Sequence, residues 1–336
     1  MLRIIRGCIA LVAACLALSG YAQDFEATRR AAEQGDADAQ FNLGLMYDNG
    51  QGVAQNYAES VKWYQKAAGQ GDAPAQNNLG AMYASGQGVA QNDAEAVKWY
   101  KQAAEQGHAP AQNNLGTMYA DGQGIAQNDA EAAKWFQKAA EQGLAKAQYN
   151  LAVSYANGQG VAKDEAEAVK WYKQAAEQGD SGAQNDLGVM YVKGQGVAQN
   201  YDEAVKLFQK AAEQGDTKAQ YNLGVRYAKG QGIAQNDAEA VKWYQKAADQ
   251  GFARAQNNLG WMYTKGRGLT QNDAEAVKWF QKAADQGDAR AQYNLGVRYA
   301  KGQGIAQNDA EAVKWYQKAA EQGHERAQKA LADLKK

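Results

Sequence analysis

The chain has 336 residues and a net charge near −1, with 36 glycines, two prolines, two cysteines and two histidines. Both cysteines, Cys8 and Cys15, fall in the first fifteen residues, so the rest of the chain has neither disulfides nor thiolate metal sites. The length would suggest about two globular domains if the sequence did not repeat.

The first 22 residues stand apart. Arg3 and Arg6 precede an uncharged apolar run from Gly7 to Leu18, followed by Ser19-Gly20-Tyr21-Ala22. A basic start, a short apolar stretch and small residues before a cleavage point describe a secretory signal peptide, and the stretch is short for a membrane span. Cleavage after Ala22 is the expectation, giving a periplasmic or secreted protein with no membrane span in the mature chain. The alternative is Val12-Ala13-Ala14-Cys15, which resembles a bacterial lipobox and would leave a lipoprotein anchored at Cys15. Residues 23–35 read as a capping helix that lacks the aromatic pair of the units after it, with Ala27 and Thr28 in their places.

From Asp36 the same 36 residues recur eight times, over 36–71, 72–107, 108–143, 144–179, 180–215, 216–251, 252–287 and 288–323. Self-similarity at this period marks a stacked-repeat solenoid, in which each unit buries its apolar face only against its neighbours. Positions are numbered 1 to 36 within each unit. In the second unit, Ala75, Leu79 and Tyr83 (positions 4, 8 and 12) share one face of a first helix, helix A. Helix A is predicted to start at position 1 or 2, with Pro74 and Pro110 in its first turn. Gly86-Gln87-Gly88 ends it. Helix B follows Asn92, which caps its free backbone donors, with Glu95 expected to reach back in a capping box. Val97, Tyr100 and Ala104 make its apolar stripe, flanked by Trp99. Residues 324–336 close the stack as a lone helix A in which Lys335 replaces the core tyrosine of position 12.

The fold predicted is all-α: a right-handed superhelical solenoid of eight 36-residue helix-turn-helix repeats with half-repeat caps. The run A-Q-x-N-L-G-x-M-Y, then G-Q-G-V, then D-x-x-E-A-V-K-W-Y-x-x-A-A-E-Q-G, as from Ala75 to Gly107, resembles the Sel-one-like repeat (SLR) family, relatives of tetratricopeptide repeats. The resemblance covers all eight units. It implies an interaction scaffold whose helix A lines an inner, concave surface, and bacterial members include secreted and periplasmic proteins. Some disulfide-rich relatives are described as acting on β-lactams; this chain lacks their paired helix cysteines, so that activity is not carried over.

Catalytic chemistry is scarce. His108 and His324 both stand at position 1, six repeats apart, and read as cap residues. No serine forms an S-x-x-K pair. The carboxylates of positions such as Asp93 and Glu95 recur in most units, which suits capping. No enzyme, cofactor or metal is predicted. The tryptophans of position 28 (Trp63, Trp99, Trp135, Trp171, Trp243, Trp279, Trp315) read as core packing, with a ligand-stacking ladder as the alternative.

Comparison of the copies separates a constant face from a variable one. On a helical wheel positions 4, 5, 8 and 12 lie within roughly 60° of one another's centre, while positions 3, 6, 10 and 14 lie roughly 120–160° away and position 11 at the boundary. Position 7 is asparagine in seven units; such a ladder either bonds an extended peptide backbone or bonds within its own repeat. Trp261 is a single aromatic at variable position 10. Charge divides along the chain: residues 23–215 carry −9 and residues 216–336 carry +6. The candidate partner-binding residues are Tyr221, Asn222, Arg226 and Lys229; Arg254, Asn258, Trp261 and Lys265; and Tyr293, Asn294, Arg298 and Lys301. Repeated cations, with Lys218, Arg290 and Arg267 in the same region, favour an anionic protein or peptide or an anionic envelope glycan, and nucleic acid is not expected. The predicted function is a non-catalytic protein-interaction scaffold of the bacterial envelope. The alternatives are an envelope hydrolase or β-lactam-acting enzyme, and a surface or secreted virulence or adhesion factor.

Overall fold

The computed structural model describes residues 24–334. The leader, both cysteines and Lys335 lie outside the described residues. The chain falls into two compact units that meet in sequence at Asp164 and Glu165. The described residues of the first comprise α1 (24–33), α2 (Ala37–Asn49), α3 (Tyr57–Gly69), α4 (Ala73–Ser85), α5 (Asp93–Glu105), α6 (Ala109–Asp121), α7 (Asp129–Glu141) and α8 (Ala145–Asn157). Those of the second comprise α9 (Glu165–Glu177), α10 (Ser181–Lys193), α11 (Tyr201–Glu213), α12 (Thr217–Lys229), α13 (Asp237–Asp249), α14 (Ala253–Lys265), α15 (Asp273–Asp285), α16 (Ala289–Lys301), α17 (Asp309–Glu321) and α18 (Glu325–Leu334). Even-numbered helices are helix A and odd-numbered ones helix B. The fold class is the predicted all-α solenoid of helix-turn-helix repeats.

Each helix begins and ends as its local sequence dictates. Asp72 caps α4 by accepting from Ala75 N at 2.6 Å, and Gly86 closes it in the left-handed conformation at φ 71°. Asn92 caps α5 by accepting from Glu95 N at 3.1 Å. The second arm of the expected capping box is not made: the Asn92 N–H already donates to the Tyr83 carbonyl at 2.9 Å, and the Glu95 side chain instead pairs with Lys98 at 3.3 Å. A backbone acceptor reached first, so the glutamate had no orphan donor left to satisfy. Both histidines are caps, His108 accepting from Ala111 N at 3.4 Å and His324 from Ala327 N at 3.3 Å.

A core cluster takes one helix B, the helix A that follows it, and the tryptophan of the next helix B. Tyr100, Ala103 and Ala104 of α5 thus pack with Leu115 and Met118 of α6 and Trp135 of α7. The position-28 tryptophans are therefore the mortar between consecutive repeats, as the packing reading expected. Five of them carry a lysine ammonium within 3.7 to 4.2 Å of the ring centre, Lys66 over Trp63 being the nearest. Helix A lies directly on the position-29 ring of its own repeat, and a Cβ at Gly80 would stand 2.8 Å from the Tyr100 ring. At Gly88 a Cβ would collide with the Tyr57 carbonyl of the preceding repeat, and φ is 71°, so glycine is required twice over.

Two amide networks run through the stack. Buried Gln76 donates to the Ala68 carbonyl at 3.1 Å and accepts from Gln106 at 2.8 Å, and the same pair recurs as Gln112 with Gln142 and Gln256 with Gln286. The position-7 asparagines do something neither sequence reading anticipated, bonding to the preceding repeat. Asn114 donates to Asn77 at 3.0 Å, and Asn150 to Asn113, Asn222 to Asn185 and Asn294 to Asn257 at 2.9 Å. Where position 6 of the preceding repeat is aromatic (Phe41, Tyr221), Asn78 and Asn258 instead face Tyr64 and Tyr244 and draw the tyrosine pKa down against the effect of burial. Three of the position-6 asparagines thereby belong to a seam and not to an open face: Asn113, Asn185 and Asn257 are all buried.

Candidate functional site

The cations predicted on one face separate into two groups. Arg226 and Arg298, at position 11, are each only 9% exposed. Arg298 Nη1 donates to Asp273 Oδ1 at 3.1 Å and Gln303 Oε1 at 2.9 Å; Arg226 Nη1 donates to Gln231 Oε1 at 2.7 Å, its guanidinium 5.7 Å from the Tyr201 ring centre. Burial pushes both guanidinium pKa values down, with Asp273 opposing it at Arg298. These two are structural arginines facing the preceding repeat, a correction to their assignment as partner contacts. The position is a buried one that other repeats fill with Met82, Met118, Met190 or Met262. Arg267 is likewise engaged, donating to both carboxylate oxygens of Asp237 at 2.6 and 2.8 Å, which holds that carboxyl below its ordinary pKa range.

The remaining cations are exposed and lie in two rows. Lys218, Arg254, Arg290 and Arg326 stand at position 3 of four consecutive helices A, and Lys193, Lys229, Lys265 and Lys301 at position 14. Helix geometry explains the second row, because a cation in the last turn complements the helix dipole. It does not explain the first. Position 3 lies in the first turn, where the dipole disfavours positive charge, yet α12, α14, α16 and α18 all carry a cation there.

At the position-3 row the final repeats form a cleft of about 580 Å³, lined by Trp261, Asn257, Arg290, Tyr293, His324 and Arg326 among others. Trp261 is 39% exposed, the exposed large apolar side chain of the described residues, and the Arg267 guanidinium lies 5.3 Å from its ring centre. Tyr293 stacks on His324, with ring centres 4.8 Å apart and planes at 26°, and tilts against Tyr316 at 5.7 Å. Partial burial pushes the His324 pKa down, and Arg326 and Arg290 push it further against the pull of Asp288. The cleft thus offers a flat aromatic wall, two guanidiniums and neutral polar edges, a combination suited to a carboxylate beside an apolar group. Glu325 also lines it.

The structure therefore brings Trp261, Tyr293 and Asn294 together and leaves Lys229, Arg254, Lys265 and Lys301 exposed on their helices. Tyr221 is half-buried, packed on Tyr244 at 5.9 Å and Phe252 at 5.2 Å; Asn222 and Asn294 spend an amide donor within the fold, and Asn258 faces Tyr244. Arg326, His324 and Asn257 were missed. The signal for Arg326 was present, since it continues the position-3 series at the same interval of 36 residues. Among the described residues no group of three or more His, Cys, Asp or Glu is placed to hold a metal, and no helix is long and apolar enough to cross a membrane.

The Sel1 repeat model matches eight times, over 37–72, 73–108, 109–144, 145–180, 181–216, 217–252, 253–288 and 289–324. The chain belongs to the Sel1 repeat family. Among solved structures, this Sel1 repeat protein is similar to a protective antigen present in uropathogenic Escherichia coli strains that displays an SLR fold. The two are 38% identical with a TM-score of 0.81, over 92% of this chain and 67% of that one. It is also similar to a Sel1 repeat protein from Oxalobacter formigenes, at 33% identity and a TM-score of 0.66, over 95% and 93% of the two chains. No curated protein matches it. Sel1 repeat proteins are generally protein–protein interaction scaffolds.

Proposed function

We propose that this protein is a non-catalytic scaffold of the bacterial envelope that binds an acidic protein or peptide on the helix-A face of its last three repeats. The single observation that carries the reading is the row of cations at position 3. Four successive helices carry a cation in their first turn, where the helix dipole disfavours it. A partner carboxylate would relieve that cost, and the cleft beside Arg290 and Arg326 supplies Trp261 and Tyr293 for an adjoining apolar side chain. The basic, then apolar, then small-residue order of the first 22 residues supports export to the periplasm or beyond it.

A photo-crosslinking residue at position 261 in living cells tests the reading. The expected adduct disappears when Arg254, Arg290 and Arg326 are reversed to glutamate, with helicity unchanged and the adduct in the periplasmic or secreted fraction. An adduct that survives charge reversal sinks the anionic-partner reading; a chain retained in the cytoplasm sinks the envelope reading.

A further inference from the structure

The second unit displays how this fold holds a guanidinium. Arg298 at position 11 donates to Asp273 and Gln303, and its guanidinium carbon lies 5.9 Å from the Phe280 ring centre. Those partners stand at positions 22 and 29 of the preceding repeat and at position 16 of its own. The first unit carries the same three residue types at the equivalent places, Asp129, Phe136 and Gln159, and all three line one cavity of about 240 Å³. What differs is position 11. Five repeats place methionine there and two place arginine, but the fourth has Ser154, whose hydroxyl turns back to the Asn150 carbonyl at 3.0 Å. The short side chain leaves the joint open.

The vacated joint has more negative character than its counterpart. Asp121 lines the cavity at the position where the seventh repeat has Lys265. Among the described residues, neither Asp121 nor Asp129 takes part in a salt bridge, and the surrounding residues 23–215 carry −9. The volume falls below the roughly 300–1,000 Å³ of ordinary small-molecule sites, which suits one side chain.

We propose that this cavity binds the guanidinium of an arginine side chain presented by a peptide or protein, in the pose that Arg298 adopts within the chain. Asp129 and Gln159 accept its N–H groups, Phe136 takes its flat face, and Asp121 adds a second carboxylate at the wall. An ammonium lacks the planar fork that would reach both acceptors while lying on the ring.

Calorimetric titration of the full chain with Nα-acetyl-arginine methylamide tests this. The lysine counterpart should bind more weakly and the neutral citrulline counterpart not at all. Asp129→Asn should weaken binding at least about tenfold, the loss of one charge-assisted hydrogen bond. Ser154→Met and Ser154→Arg should each abolish binding while leaving heat stability equal or higher, since both are residues that sister repeats already carry. Full binding by Ser154→Met, citrulline binding as tight as arginine, or no binding by the unaltered chain overturns the proposal. Free arginine binding more tightly than the blocked form would assign the pocket to a small metabolite and overturn the peptide source.

Discussion

The joint between the third and fourth repeats and the joint between the seventh and eighth share an aspartate, a phenylalanine and a glutamine at equivalent places, yet only the later one is closed by the chain's own arginine. The pair teaches that one repeat architecture can spend its inter-repeat acceptors on stability or hold them open toward solution, and that position 11 decides which. Charge follows the same division. The later joint lies in a basic stretch and neutralises a cation internally, while the earlier one lies in an acidic stretch and leaves two carboxylates facing a void.

The largest effect should come from cutting the closed joint. Asp273→Ala strands a largely buried guanidinium with Gln303 alone, and urea unfolding should show a loss of about 1.5–3 kcal/mol. Asp129→Ala, the equivalent change at the open joint, should cost close to nothing; equal losses would break the comparison. Next is the converse change. Ser154→Arg should close the open joint and raise stability by about 0.5–2 kcal/mol, read as a higher denaturant midpoint. Asn294→Ala removes the seam bond to Asn257 and should cost about 1 kcal/mol at a joint where both sides are amides. Asn258→Ala, facing the Tyr244 hydroxyl, should match it if the two seam arrangements are equivalent.

The smallest effect is on pH. The folded His324 imidazole titrates below its ordinary value of about 6.5, so the unfolded chain binds its proton first. Stability therefore rises with pH through the window from the folded pKa up to the unfolded one, and falls as acid protonates the cap acceptor of α18. An NMR titration should place the His324 midpoint below 6.5, and His324→Asn, which keeps a capping acceptor, should flatten the acid limb. A midpoint above 6.5 would remove the positive field of Arg290 and Arg326 from the description of the cleft.

Much of this was legible in the sequence because a repeat is read eight times over. The caps at Asp72 and Asn92, the glycine stop at Gly86 and the packing tryptophans each follow from residue type and spacing. The charge split was legible too, but not its geometry. A helical wheel treats helix A as an isolated cylinder, so it placed positions 6 and 11 on or near an open face. In the stack position 6 meets the following repeat and position 11 the preceding one, and Asn257 and Arg298 are buried there. The Ser154 vacancy had a signal, one short residue in a column of methionine and arginine, yet its meaning required knowing what that column touches.

The seam asparagine has a consequence for how such chains change over generations. Because Asn at position 7 follows either an amide at position 6, to which it bonds, or an aromatic ring there, beside which it faces a tyrosine, a unit does not need one particular predecessor. Whole units can then be duplicated, deleted or reordered without redesigning the joint. Recombination between near-identical copies becomes a route by which a population samples solenoids of different lengths and charge orders, each one already able to fold.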